Sequence, residues 1–261
     1  MTAYKAVFSD IDGTLLNSKH VISPDTLQAV RRIIRAGIPF IPVSARPPYA
    51  ITAYTDQLDS QQAIICYSGA LILDKNLTAL YSVTLSGTDL QRLDKLLGEF
   101  NHLSVNHYSG THWFSNDLNN PWCLQESEIT KLKAAAKPAD LIDVHKILVM
   151  GPAQDIRKLE ILLKQNLPHL SIHRSKNEYL EIMNKAATKA KAIDFILHSL
   201  NISADEIIAF GDNFNDADML QYAGHSVAMG NAPEEIKNMA TEITATNDED
   251  GIAQVLNRIF V

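Results

Sequence analysis

Phe8-Ser9-Asp10-Ile11-Asp12-Gly13-Thr14-Leu15-Leu16 sets two carboxylates two residues apart, behind the apolar run Ala6-Val7-Phe8 and ahead of Gly-Thr. A short apolar run reads as a strand buried on both faces. Asp-Gly is turn chemistry. The stretch therefore predicts a strand over residues 3–9 that delivers Asp10 and Asp12 to a turn at its carboxyl end. Acids so placed can bind Mg²⁺, attack a phosphorus atom and move a proton.

Outward from this strand the chain alternates. Ser23-Pro24-Asp25 opens a helix with Ser at N-cap, Pro at N1 and an acid in the first turn. Leu27, Val30, Ile33 and Ile34 give it an apolar face, and Gly37 suits its C-terminal cap. Strands are predicted over 38–43, against the resistance of Pro39 and Pro42, and over 63–67. A hairpin is predicted from 70–73 and 78–83 around Asp74-Lys75-Asn76. The pattern resumes near the C-terminus: a helix over 188–200, a strand over 206–210 ending at Gly211-Asp212, a strand over 226–229, and helices over 233–240 and 252–260. Strands alternating with helices predict a parallel sheet with helices on both faces.

The middle has its own cadence. Helices are predicted over 89–100, 126–136 and 153–165, an alternating stretch over 103–108, and strands over 146–150, 170–174 and 179–183. Asp117-Leu118-Asn119-Asn120-Pro121 reads as a loop. The fold class is therefore α/β. Residues 1–83 and 184–261 form a parallel-sheet core, and 84–183 an inserted second α/β unit.

The bulk numbers agree with a globular chain that avoids nucleic acid. The 261 residues are 46% hydrophobic and 20% charged, with a net charge of −7 and no basic block. Cys66 and Cys123 form no C-x-x-C pair, which points to reduced thiols. No stretch approaches the length of a membrane span, and Asp10 and Asp12 break any signal-peptide core. These negatives lead us to expect a cytoplasmic location.

Four segments fall at the carboxyl ends of core strands or beside them, where open parallel sheets bind ligands. They are Asp10-Ile11-Asp12, Ser44-Ala45-Arg46, Gly211-Asp212-Asn213-Phe214-Asn215-Asp216, and Lys189 near the start of the helix leading to residue 206. Together they supply carboxylates, a hydroxyl, an ammonium and an amide, a set suited to phosphoryl transfer. Mg²⁺ takes oxygen ligands. Asp10 and Asp212 are the expected direct ligands, a backbone carbonyl near Asp12 a third, and Asp216 either a ligand or a support. Asp12 is placed to give and take a proton. Ser44, Lys189 and Asn215 are placed to bind phosphate oxygens.

These residues, in this order, resemble the four motifs of the haloacid dehalogenase-like phosphatases. The motifs are Asp10-Ile11-Asp12-Gly13-Thr14-Leu15-Leu16, Ser44-x-Arg46-Pro47, Lys189 with Ala192, and Gly211-Asp212-Asn213-Phe214-Asn215-Asp216 with Met219-Leu220. The large insert, Ala228-Met229-Gly230-Asn231-Ala232 and Asp250-Gly251 resemble the Cof-type sugar-phosphatase branch. The resemblance implies a Rossmann-like core, an inserted α/β cap, Mg²⁺, and hydrolysis of small phosphorylated metabolites such as sugar phosphates. It implies that Asp10 is the nucleophile and a metal ligand, and Asp12 the acid/base with its carbonyl on the metal. It implies that Asp212, supported by Asp216, completes the metal site, and that Ser44, Lys189 and Asn215 contact phosphate. The sequence departs from the pattern at Ala45, where Gly is usual, and at Ser68-Gly69, where Asn-Gly is usual.

Blander readings stand beside these. Arg46 reads as a structural or rim charge. His102, His107 and His112 recur at a spacing that flips faces on a strand, which disfavours zinc. Trp113 and Phe114 read as insert core. A phosphomutase shares the aspartyl-phosphate chemistry. A signalling receiver shares the sheet-end aspartate, hydroxyl and lysine, but has no need of Asp12 or an insert.

Overall fold

The computed structural model describes residues 4–260, so residue 3 of the first expected strand lies outside the described residues. In chain order the elements begin β1 (Ala6–Ser9), α1 (Pro24–Arg35), β2 (Phe40–Pro42), α2 (Tyr49–Leu58), β3 (Ile64–Cys66), β4 (Leu71–Leu73) and β5 (Ala79–Ser82). They continue with α3 (Gly87–Leu97), β6 (Ser104–Ser109), β7 (His112–Ser115), α4 (Pro121–Thr130), β8 (Ala135–Ala136), β9 (Lys146–Met150), α5 (Ala153–Asn166), β10 (Leu170–Lys176) and β11 (Tyr179–Asn184). The chain closes with α6 (Lys189–Leu200), β12 (Ile207–Gly211), α7 (Ala217–Tyr222), β13 (His225–Ala228), α8 (Glu234–Lys237), β14 (Glu242–Ile243) and α9 (Gly251–Ile259).

Two compact units result. One runs up to Tyr81 and resumes at Thr188; the other is Ser82–Ala187. In the first, a parallel sheet has the order β14-β13-β12-β1-β2. From β1 the chain steps to one side for β2, yet β12 returns on the other side. That reversal opens a crevice beyond the carboxyl ends of β1 and β12. Phe8, Ile41, Ala209 and Ile207 from the sheet share a core with Ala192, Ile193 and Ile196 of α6.

Local chemistry explains the elements. Ser23 caps α1, its hydroxyl accepting the Thr26 N–H at 3.2 Å, with Pro24 at the first position. The buried face of α1 is Thr26, Ala29, Val30 and Ile33; Leu27 and Ile34 lie only half-buried at its margin. Proline is tolerated in β2 because of where its missing N–H falls. Val43 N–H donates to Ser9 on the β1 side and Ser44 N–H to Ile65 on the other. By alternation Pro42 faces the β3 side, where only the Val43–Ile65 bridge forms. The expected hairpin forms as β4 and β5, with the Asp74 carboxylate accepting from Asn76 and Thr78 N–H, both at 2.8 Å.

The second unit carries a six-stranded sheet, β10-β11-β9-β6-β7-β8, antiparallel except where β8 joins β7. One face buries Val105, Ile147, Val149, Leu180 and Ile182 with Leu93 and Leu97 of α3 and Ile156, Leu159 and Leu163 of α5. His107 shares that face by register, opposite Ile147. The other face mixes polar groups with the buried Leu148, Met150 and Met183. There Trp113 Nε1 donates to Asn106 at 2.9 Å, Lys146 pairs with Glu181 at 3.4 Å, and Tyr179 donates to Glu126 of α4 at 2.8 Å.

One expectation fails in this unit. Of residues 126–136 only 126–130 are helical. The helix is Pro121–Thr130, capped by Asn120, whose side chain accepts the Trp122 N–H at 3.0 Å. Asn-Pro read as loop punctuation is here the N-cap and N1 pair. Lys131 turns left-handed at φ 59°, and Ala135-Ala136 pairs with β7 instead of extending the helix. Tertiary pairing overrides the helix propensity of an Ala/Lys-rich stretch. Strands β7 and β14 and helix α7, absent from the sequence reading, are also present.

Candidate active site

Asp10 leaves β1 with its N–H on the Phe210 carbonyl of β12 at 3.0 Å, so it stands in the crevice. It is buried, 5% exposed. The turn behind it closes through Leu16 N–H on the Ile11 carbonyl at 2.9 Å. Gly13 adopts φ +77°, and any Cβ there would overlap the Asp212 carboxylate. Only glycine lets the two loops approach this closely. Thr14 then donates its hydroxyl to Asp212 at 2.7 Å.

Lys189 is the first residue of α6, capped by Thr188, with Ala190 N–H bound to Asp218 at 2.9 Å. Gly69, at φ +98°, lies where a Cβ would strike the Thr188 carbonyl, so it admits the start of α6. The Lys189 side chain is 1% exposed. Its ammonium donates to Asp10 at 2.5 Å, Asp216 at 2.6 Å and the Val43 carbonyl at 3.3 Å. All three of its hydrogens are thereby used.

Asp216 is fully buried. One of its oxygens takes Lys189, and the other accepts the N–H groups of Asp212 and Asn213 at 2.9 and 3.0 Å. It both folds the 211–216 loop and holds Lys189. Carboxylate oxygens of Asp10, Asp212 and Asp216 lie within 4.8 Å of one another. The Asp12 carboxylate is outside that group.

Three clustered carboxylates thus share one ammonium, which bonds Asp10 and Asp216 directly. Burial raises the Asp10 pKa well above the usual carboxylate range; Lys189 opposes this, and the charges of Asp216 and Asp212 add to it. Burial and Asp216 push Asp212 up to about 6 against the pull of Thr14. Burial acts to lower Lys189, but Asp10 and Asp216 outweigh it and hold the ammonium protonated. Fully ionised, the set carries two surplus negative charges, the deficit that one divalent cation balances. The donor chemistry, all oxygen, also suits a hard cation.

Ser44 is buried, its hydroxyl accepting the Arg46 N–H at 3.2 Å, and Asn215 is exposed on its loop. Arg46 is not a rim charge. Its Nε and Nη2 fork Asp12 at 2.7 and 2.5 Å. Sequence reasoning missed this contact, and also Thr14, Asp218 and Asn231, whose amide donates to the Gly13 carbonyl at 2.8 Å. Thr14 and Asp218 could have been weighed, since each stands within two residues of a chosen acid. Asn231 stands in the Ala228–Ala232 stretch, but nothing there points to its partner more than two hundred residues away.

The family model for haloacid dehalogenase-like hydrolases matches residues 7–256. A Haemophilus influenzae protein named "Putative phosphatase" is 45% identical over 260 residues, covering 98% of each chain. A haloacid dehalogenase-like hydrolase from Bacteroides thetaiotaomicron superposes with a TM-score of 0.90 at 31% identity, covering 98% of this chain and 100% of that one. The sugar phosphatase BT4131, of subclass IIB, shares the fold at a TM-score of 0.82 and 24% identity, covering 97% and 98%. The chain belongs to the haloacid dehalogenase-like hydrolases, in the Cof-type branch. It is an enzyme of the phosphatase class.

Proposed function

We propose that this protein is a Mg²⁺-dependent phosphatase that hydrolyses small phosphate monoesters, sugar phosphates foremost, through an aspartyl-phosphate on Asp10. One observation carries the reading: three carboxylates whose oxygens lie within 4.8 Å of one another, two of them bonded to a single buried ammonium, short of two positive charges. Asp10 and Asp212 would hold the ion by their carboxylates and Asp12 by its backbone carbonyl, with Asp216 beside them. Bound there, the ion would offset the charge of the incoming phosphate and polarise it.

The chain's own groups do the rest. An Asp10 oxygen bonds to phosphorus as the ester P–O bond breaks, and the leaving oxygen takes a proton from Asp12. Water then attacks phosphorus and gives its proton to Asp12. The Asp10–phosphorus bond breaks and inorganic phosphate departs. Ser44 and Asn215 donate to phosphate oxygens. Lys189 joins them by releasing the Val43 carbonyl, its longest contact at 3.3 Å. In this reading Ser82–Ala187 is the cap that selects the leaving group. A sugar phosphatase of the same fold supports screening sugar phosphates first.

Two measurements test the proposal. Replacing Asp12→Asn is expected to lower kcat for p-nitrophenyl phosphate by ~10²–10⁴-fold, because the water that attacks phosphorus then has no base, even though this leaving group needs no proton. EDTA is expected to abolish turnover and added Mg²⁺ to restore it. Near-normal rates in either case contradict the reading. Release of free phosphate, rather than formation of an isomeric ester, separates hydrolysis from a mutase.

A further inference from the structure

We infer that Arg46 is the positioning residue of the acid/base: its fork sets the plane of the ionised Asp12 carboxylate, and when Asp12 carries its proton the protonated oxygen leaves the fork for the leaving group while the other oxygen keeps its guanidinium bond. This rests on the phosphatase reading above. The Asp12 side chain is 50% exposed, on a turn, and among the described residues only the Arg46 side chain bonds its oxygens. A carboxylate so placed samples several rotamers in water. The guanidinium removes that freedom by engaging both oxygens at once, Nε on Oδ2 and Nη2 on Oδ1. A planar fork against a planar carboxylate sets orientation as well as distance.

The arm is itself anchored. Nη1 donates to the Tyr54 hydroxyl at 3.3 Å and the Ala50 carbonyl at 3.4 Å, and the guanidinium lies over the Tyr54 ring at 5.5 Å. Four of the five guanidinium hydrogens are committed. Its backbone is tied too, the N–H to Ser44 Oγ at 3.2 Å and the carbonyl to Tyr67 N–H at 3.2 Å. An ordinary exposed ion pair has no such scaffold and adds little. Here one loop carries both a proposed phosphate contact, Ser44, and the group that aims the acid. Misplacing a reacting group by an ångström is expensive in rate.

The leaving group reads this role. A misaimed acid harms esters whose leaving oxygen needs a proton, and spares those whose leaving group departs as an anion. We would compare kcat/KM for an alkyl phosphate and for p-nitrophenyl phosphate, since this ratio reports events through leaving-group departure. Arg46→Ala is expected to lower the alkyl value by ~100-fold and the aryl value by only a few-fold, the difference reflecting lost acid catalysis. Millimolar guanidinium is expected to restore part of the alkyl rate. Arg46→Lys, with one ammonium and no fork, is expected to fall between Arg46→Ala and the unaltered protein. If Arg46→Ala does not fold, Arg46→Lys and Arg46→Gln carry the same comparison.

Equal losses for both esters overturn the inference in favour of a phosphate clamp or a purely structural arm; no loss overturns it outright. Asp12→Asn distinguishes this from failure of the parent reading. If Asp12→Asn shows the leaving-group-selective loss and Arg46→Ala does not, the acid stands and its proposed positioner falls. If the unaltered protein turns over neither ester, the phosphatase reading itself has failed.

Discussion

Lys189 is a charge that the fold would not bury alone. A lysine with 1% exposure persists because Asp10 and Asp216 each accept one of its hydrogens. Removing the lysine, and with it the one positive charge both acids share, typically costs about 3–5 kcal/mol. The carboxylates stand the other way: there are too many of them. Burial and the neighbouring Asp216 and Asp212 disfavour the ionised form of Asp10 even beside Lys189. Replacing Asp10→Asn, an uncharged side chain of the same shape, relieves that crowding. In EDTA the variant is expected to melt a few degrees higher than the unaltered protein, and in Mg²⁺ to lose both activity and most of the stabilisation the ion provides. Thermal unfolding with and without Mg²⁺ checks this; a lower melting temperature in EDTA contradicts it.

Elements matter here through the loops they hold. The turn carrying Asp12 is tied to the C-terminal segment by two asparagines. Asn231 donates to Gly13 and accepts the Asn247 N–H at 3.0 Å, while Asn247 donates to the Leu16 carbonyl at 2.8 Å. Asn231→Asp sets a carboxylate against the Gly13 carbonyl in place of a donor. It is expected to cost about 1 kcal/mol of stability and to lower kcat several-fold, read by denaturant unfolding and steady-state kinetics. An unchanged kcat would show that the turn holds itself. The sequence revealed the acids and the lysine because short, chemically unusual spacings advertise them: Asp-x-Asp behind an apolar run, and Gly-Asp-x-x-x-Asp after another. The strands of the parallel sheet were legible from their apolar runs. Arg46 on Asp12 and Asn231 on Gly13 were not, because such contacts depend on how loops meet. Helix α4 was misread because Asn120-Pro121 begins a helix as readily as it ends one. Tyr67 and Ser68, at φ 49° and 51°, adopt the left-handed backbone without Asn in the turn, which residue propensity does not foresee.

At the scale of the whole molecule, acid acts on the Ser82–Ala187 unit through two histidines. Burial drops His107 to a pKa of about 4, helped by Lys137, and drops His145 to about 4 despite Asp143. His107 Nδ1 has no hydrogen-bond partner among the described residues. His145 Nδ1 accepts from Gly110 N–H at 3.1 Å, a bond that protonation would break. In the unfolded chain both titrate near ~6.5, so between that value and 4 the unfolded state binds more protons. Stability is therefore full above pH ~6.5 and falls as pH drops toward ~4, by up to about 3 kcal/mol for each histidine. Hydrogen exchange in this unit is expected to lose protection over that window, and His107→Leu to flatten the loss by about half; a flat profile in the unaltered protein contradicts the assignment. The central claim, that Asp10 takes the phosphoryl group, is tested most directly by chemical trapping. The enzyme is mixed with p-nitrophenyl phosphate and Mg²⁺, quenched in acid, reduced with borohydride and mapped by peptide mass spectrometry. The expected result is homoserine at position 10, present with Mg²⁺ and absent with EDTA. Reduction at another acid, or none while phosphate is being released, would contradict the account.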